Sequence, residues 1–155
     1  MKKTIFAVIA IGLLAITSCS KSNPPGNSWT FRTVTYNTTS CTGSAGSLAA
    51  SNVTSNNSTT YGTLTCTFYG TTLPGSGGVY TVVSTVPINS TQVSITATTD
   101  GSANNYKSTG GNGSNQTVTI SVSNGKVSVT GSGVELVNLT SLSDSAALSV
   151  NITQL

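Results

Sequence analysis

The feature that most constrains this chain is a period-two alternation of apolar and hydroxyl-bearing residues, cut at short intervals by Gly, Asn and Ser. Successive side chains of an extended strand stand on opposite faces, so such a pattern buries one face and leaves the other wet. Thr63-Leu64-Thr65-Cys66-Thr67-Phe68-Tyr69 sets Leu64, Cys66 and Phe68 against three threonines. Residues 92–98 repeat the scheme with Val93, Ile95 and Ala97, and residues 117–122 with Val118, Ile120 and Val122. Asn124-Gly125 then supplies the two positive-φ positions of a type I′ turn, and residues 126–130 return with Val127 and Val129. Further strands are expected over 29–36, 47–52, 79–83, 106–109, 134–139 and 146–153, the last with Leu148, Val150 and Ile152 in phase. No stretch after the first segment carries a 3.6-residue apolar stripe long enough for a helix. The expected fold is all-β, an antiparallel β-sandwich or barrel of about nine or ten short strands.

Composition narrows the chemistry. Ser and Thr fill about a third of the chain and charged residues only 6% of it, against roughly a quarter in ordinary domains. The chain has no His, so Ser-His-Asp and Cys-His triads and His-bearing zinc sites are excluded. The carboxylates are Asp100, Glu135 and Asp144. Asp100 precedes Gly101 in a turn, Asp144 sits in a Ser-rich loop, and Glu135 falls on an outward strand position. They do not suggest an acid–base pair or the many-oxygen shell of calcium. Gly110-Gly111-Asn112-Gly113-Ser114 lacks the Lys-Ser/Thr ending and the helix of a phosphate loop. No catalytic residue, metal site or cofactor is expected, and the protein reads as a non-enzyme. Without a basic patch it does not read as a nucleic-acid binder either.

The N-terminus reads as an address. Met1-Lys2-Lys3 is a short basic start, followed by an apolar run over 5–16. At 1.5 Å per residue such a run spans roughly 18 Å as a helix, too short for the roughly 30 Å hydrocarbon core but suited to a signal peptide. Ile16-Thr17-Ser18-Cys19 resembles the lipobox of bacterial lipoproteins. That resemblance implies cleavage before Cys19 and acylation of its thiol and new amine, so the chain's membrane partner is engaged through acyl chains on Cys19. Each buried CH₂ contributes about 0.8 kcal/mol, and two or three chains make a stable anchor. The expected organisation is a signal peptide over 1–18, the lipidated Cys with a Ser- and Pro-rich tether over 19–28, and one all-β domain over 29–155. Ser20 after the acylated Cys favours the outer membrane by the common sorting rule, with either face open.

Two cysteines are left for the domain. An exported location permits a Cys41–Cys66 disulfide, which would close about 25 residues and contribute on the order of 3 kcal/mol. The alternative is two buried thiols, since Cys66 shares its inward face with Leu64 and Phe68. Among the aromatics, Trp29 and Phe31 are expected to anchor the core. Tyr61, Tyr69 and Tyr106 lie at strand ends or loop margins and are the candidate ligand contacts, because flat rings stack on sugars and on lipids.

From Trp29 to the end the chain resembles the small β-rich lipoproteins of Bacteroidota-type bacteria. The matching segments are Ser28-Trp29-Thr30-Phe31, Gly77-Gly78-Val79-Tyr80-Thr81-Val82 and Val118-Thr119-Ile120-Ser121-Val122-Ser123-Asn124-Gly125-Lys126-Val127. The resemblance implies a calycin-type barrel or related sandwich and brings no catalytic residue. The functional expectation is a lipid-anchored binding or envelope-structural domain, with a glycan or an envelope protein as partner. Its alternatives are a surface adhesin or carbohydrate-binding module and, more distantly, a hydrolase.

Overall fold

The computed structural model describes residues 26–52, 61–100, 103–110 and 116–155. The signal segment, Cys19, most of the tether, Gly101 and residues 111–115 of the Gly-rich loop lie outside the described residues. Eleven strands follow in order: β1 Ser28–Phe31, β2 Val34–Asn37, β3 Ser40–Ser44, β4 Ser47–Asn52, β5 Gly62–Phe68, β6 Gly78–Val83, β7 Gln92–Thr99, β8 Asn104–Ser108, β9 Thr117–Ser123, β10 Lys126–Asn138 and β11 Ser145–Thr153. The fold is all-β, as the alternation dictates, and its core is a closed barrel with added strands.

The wall runs β2-β1-β11-β10-β9-β6-β7-β5-β4-β3, with β8 pairing both β10 and β7. Between β10 and β7 it is therefore one strand wide at one end, where β8 spans the gap. At the other end β9 and β6 fill the same gap side by side. Ser108 knits this fork: its buried Oγ accepts from Ile95 N at 3.1 Å and donates to Val83 O at 2.6 Å. The remaining seam closes along residues 34–44. β2 pairs with β1 and β3 with β4, and between them Thr38 N donates to Asn27 O and Thr39 N to Ser51 O, each at 2.9 Å.

The inward face is the alternating set read from the sequence. Leu64, Cys66, Val93, Ile95, Val129, Leu148 and Ile152 are fully enclosed, as is Trp29, whereas Val122 is only partly buried. Leu48, Val82 and Leu136, not singled out in the sequence, are enclosed with them. Asn124 and Gly125 both take positive φ, 51° and 74°, and join β9 to β10 through the Ser123↔Lys126 pair.

Four expectations are corrected. The single strand expected over 29–36 is a hairpin, turned at Arg32-Thr33 with Arg32 at φ 58°. Residues 40–44 form a strand that the pattern did not reveal. The two strands expected over 126–139 are one, bent by a bulge between Ser132 and Val134 with Gly133 at φ 76°. The sheet is not wholly antiparallel, because β6 and β7 run parallel through Thr81↔Gln92 to Val83↔Ser94.

The Cys41–Cys66 bridge is not formed; both are buried free thiols. The register explains why. Cys41 pairs with Ala50 and Ala50 with Leu64, so Cys66 lies two strands away and two residues along. At about 4.8 Å per strand and 3.4 Å per residue, that offset exceeds the roughly 7 Å Cα limit for a disulfide. Burial pushes the Cys41 thiol up to about 11 and the Cys66 thiol to about 12, with neighbouring Cys41 adding to the latter.

Candidate functional site

One end of the barrel gathers charge in a chain that has little. The β1–β2 turn presents Arg32, the β7–β8 connection presents Asp100, and the β10–β11 loop presents Asp144. Together with Phe31, Val34, Tyr36, Thr99, Asn104 and Tyr106 they line a cleft of about 310 Å³.

Each polar arm is positioned by local structure. The Arg32 turn has two central residues, and its positive φ projects the guanidinium off the end of β1. The guanidinium pairs with Asp144 Oδ1, with its carbon 5.8 Å from the Phe31 ring centroid and 5.6 Å from that of Tyr106. Asp144 closes a turn through its N–H to Ser141 O at 2.8 Å. Its Oδ2 accepts from Tyr106 Oη at 3.2 Å and from Asn138 Nδ2 at 3.1 Å. Asp100 sits at φ 54°, and its Oδ2 accepts from Asn104 Nδ2 at 2.9 Å and Thr99 Oγ1 at 3.3 Å.

The floor is aromatic. Tyr106 meets Phe31 edge-on at 4.6 Å, and Tyr36 stacks on Trp29. Burial raises the Tyr36 hydroxyl, and the negative charge of Asp100 raises it further. Burial also raises the Tyr106 hydroxyl, against the lowering influence of Arg32. Both phenols therefore remain neutral donors at ordinary pH.

The three candidate tyrosines do not meet. Tyr106 lies in this cleft, but its ring is buried, not offered at a loop margin. Strand β8 extends to Asn104 on its near side, which moves Tyr106 inside the wall; its hydroxyl, bonded to Asp144, is its polar contribution. Tyr69 is 52% exposed and lines a separate cleft of about 380 Å³ at the opposite barrel end, with Leu73, Pro74, Gly78 and Val79. Tyr61 is half-buried and lines neither cleft.

Asp100 and Asp144 do occupy turns as expected, and Glu135 is exposed on β10. The sequence did not reveal that two of the three carboxylates converge on one cleft. Arg32 was not singled out at all, because Arg-Thr carries none of the usual two-residue turn chemistry. No cluster of three or more His, Cys, Asp or Glu suited to a metal occurs among the described residues. Comparison with protein families, with curated proteins and with solved structures finds no match for this chain.

Proposed function

We propose that the chain is a non-enzymatic, lipid-anchored lipoprotein of the bacterial outer membrane whose β-barrel binds a small polar ligand in the Arg32–Asp100–Asp144 cleft. The observation that carries this reading is convergence. The described charged residues are Arg32, Lys107, Lys126, Asp100, Glu135 and Asp144, and half of them, from three separate connections, line one aromatic-floored cleft. Sparse, directional polar groups over an apolar floor are what small-ligand sites use for orientation and specificity.

Orientation supports the same reading. Asn27, within the expected tether over 19–28, is held at the start of β1, where its Oδ1 accepts from Thr153 N at 3.1 Å. β1 leads from there to Phe31 and Arg32. A chain anchored at Cys19 therefore enters at the end of β1 opposite to Phe31 and Arg32.

A second reading is favoured by the Tyr69 cleft, which faces the other way and carries exposed Tyr69 and Val79. It suits a carbohydrate-binding module or adhesin, or an envelope-protein partner. One measurement tests the anchor and a second separates the two clefts. Metabolic palmitate labelling is expected to mark the wild-type chain and not Cys19→Ala; equal labelling overturns the anchor. Amide shifts of the full chain in micelles, titrated with monosaccharides and polyamines, are expected at Arg32, Asp100, Asn104 and Asp144. Shifts confined to residues 69–79 transfer the site to the other end.

A further inference from the structure

We infer that the Arg32–Asp100–Asp144 cleft selects a small organic cation, an ammonium or guanidinium group carried on a polar body. This rests on the cleft being the ligand site.

The charge balance comes first. The cleft holds two carboxylates and one guanidinium and no other charged side chain. Arg32 and Asp144 neutralise one another, and theirs is the one ion pair among the described residues. Asp100 is left as the uncompensated charge. Among the described residues both hydrogen bonds to its carboxylate arrive on Oδ2, so Oδ1 is available to a ligand. An anion entering here meets Asp100 without compensation, whereas a cation completes the pairing.

The walls also display the chemistry they accept. They already hold a guanidinium, the chain's own, against a carboxylate and two aromatic rings at cation–π distance. With that guanidinium in place the cleft still has about 310 Å³, bordered by Thr99, Asp100, Asn104 and Tyr36. The second position offers the Asp100 carboxylate, with the Tyr36 ring on the same border. Arg32 is half-exposed on a turn, and such pairs are weak, so Asp144 becomes a second anchor whenever Arg32 leaves.

The test uses the full chain in micelles and three sugars that share one ring but differ in charge: glucosamine, glucose and glucuronate. Glucosamine is expected to bind about tenfold more tightly than glucose, the sum of one exposed ion pair and one cation–π contact, with glucuronate weakest. Asp100→Asn is expected to bring glucosamine down to the level of glucose. Arg32→Ala, which unmasks Asp144, is expected to widen the preference for glucosamine, an effect that loss of a merely structural contact does not produce. Equal binding of the three rings, a preference for glucuronate, or an unchanged preference in Asp100→Asn overturns the inference and leaves the cleft as a site. Failure of all three sugars and of agmatine to bind overturns the site itself.

Discussion

Trp29 and Tyr36 stack face to face across the first hairpin, ring centroids 3.9 Å apart and planes 8° from parallel. They are a directly opposed cross-strand pair, Trp29↔Tyr36, and the stack reaches the cleft because Tyr36 forms part of its floor. Gly62, at the start of β5, packs against both rings. A Cβ there would lie 2.7 Å from Tyr36 Cε1 and 2.9 Å from both Trp29 and Thr98 O. Gly62→Ala is therefore expected to cost about 2 kcal/mol by overpacking, read as a lower urea midpoint with unchanged slope.

Gly125 isolates the backbone contribution. It has φ 74° and no heavy atom within 4 Å of a built Cβ, so Gly125→Ala is strained only by its dihedral and is expected to cost about 1 kcal/mol. Gly75→Ala, equally open and without a positive φ, is expected to stay within about 0.5 kcal/mol. Chemical denaturation of the two variants side by side checks the difference.

The buried thiols make stability fall in alkaline solution. A Cys ionises near 9 when unfolded, whereas in the fold Cys41 is pushed up to about 11 and Cys66 to about 12. The folded state therefore holds protons that the unfolded state releases. The sign follows: this stability is fully present below pH 9 and is lost as pH rises from 9 towards 12. The raised Tyr36 and Tyr106 hydroxyls act in the same direction. The unfolding midpoint is expected to drop between pH 8 and pH 10.5, and less steeply in Cys66→Ala. In native protein at pH 8 iodoacetamide is expected to leave Cys41 and Cys66 unmodified until urea is added.

Asp144 and Arg32 share an ion pair, yet their removal is expected to differ in cost. The pair is part-exposed, with side chains at 48% and 35%, so Arg32→Ala is expected to cost less than about 1 kcal/mol. Asp144→Ala also strips the acceptor from the Tyr106 hydroxyl and the Asn138 amide, both on buried residues. It is expected to cost about 2 kcal/mol. Equal thermal shifts in the two variants would show that the Tyr106 and Asn138 bonds contribute nothing.

The strands that were legible in the sequence are those whose apolar phase runs unbroken, such as β5, β7 and β9. Where they failed, the reason is local. β3 is Ser-Cys-Thr-Gly-Ser, with one apolar side chain, so it carries no periodicity; it is a strand because β4 and the C-terminal residues pair with it, as in Leu155 N to Cys41 O. The β1–β2 turn was hidden because Arg32 adopts a positive φ without Gly or Asn to announce it. Trp29 and Phe31 were legible as core. Tyr106 was not legible as a buried ring, since its strand gains pairing from two neighbours distant in sequence, β7 and β10.

Two classes of information thus separate. Face, turn and residue chemistry are local, and the alternation, Asn124-Gly125 and the missing histidines settled an all-β chain without imidazole chemistry before any contact was known. Which strands adjoin is non-local, and period-two patterning is indifferent to it. Only the closed wall could place β8 across the fork, hold Cys41 and Cys66 out of bonding range, and bring Arg32, Asp100 and Asp144 together. Those three residues are 112 positions apart at the extremes, and no spacing rule on a strand links them; barrel closure does, because it gathers the connections of distant strands at one end.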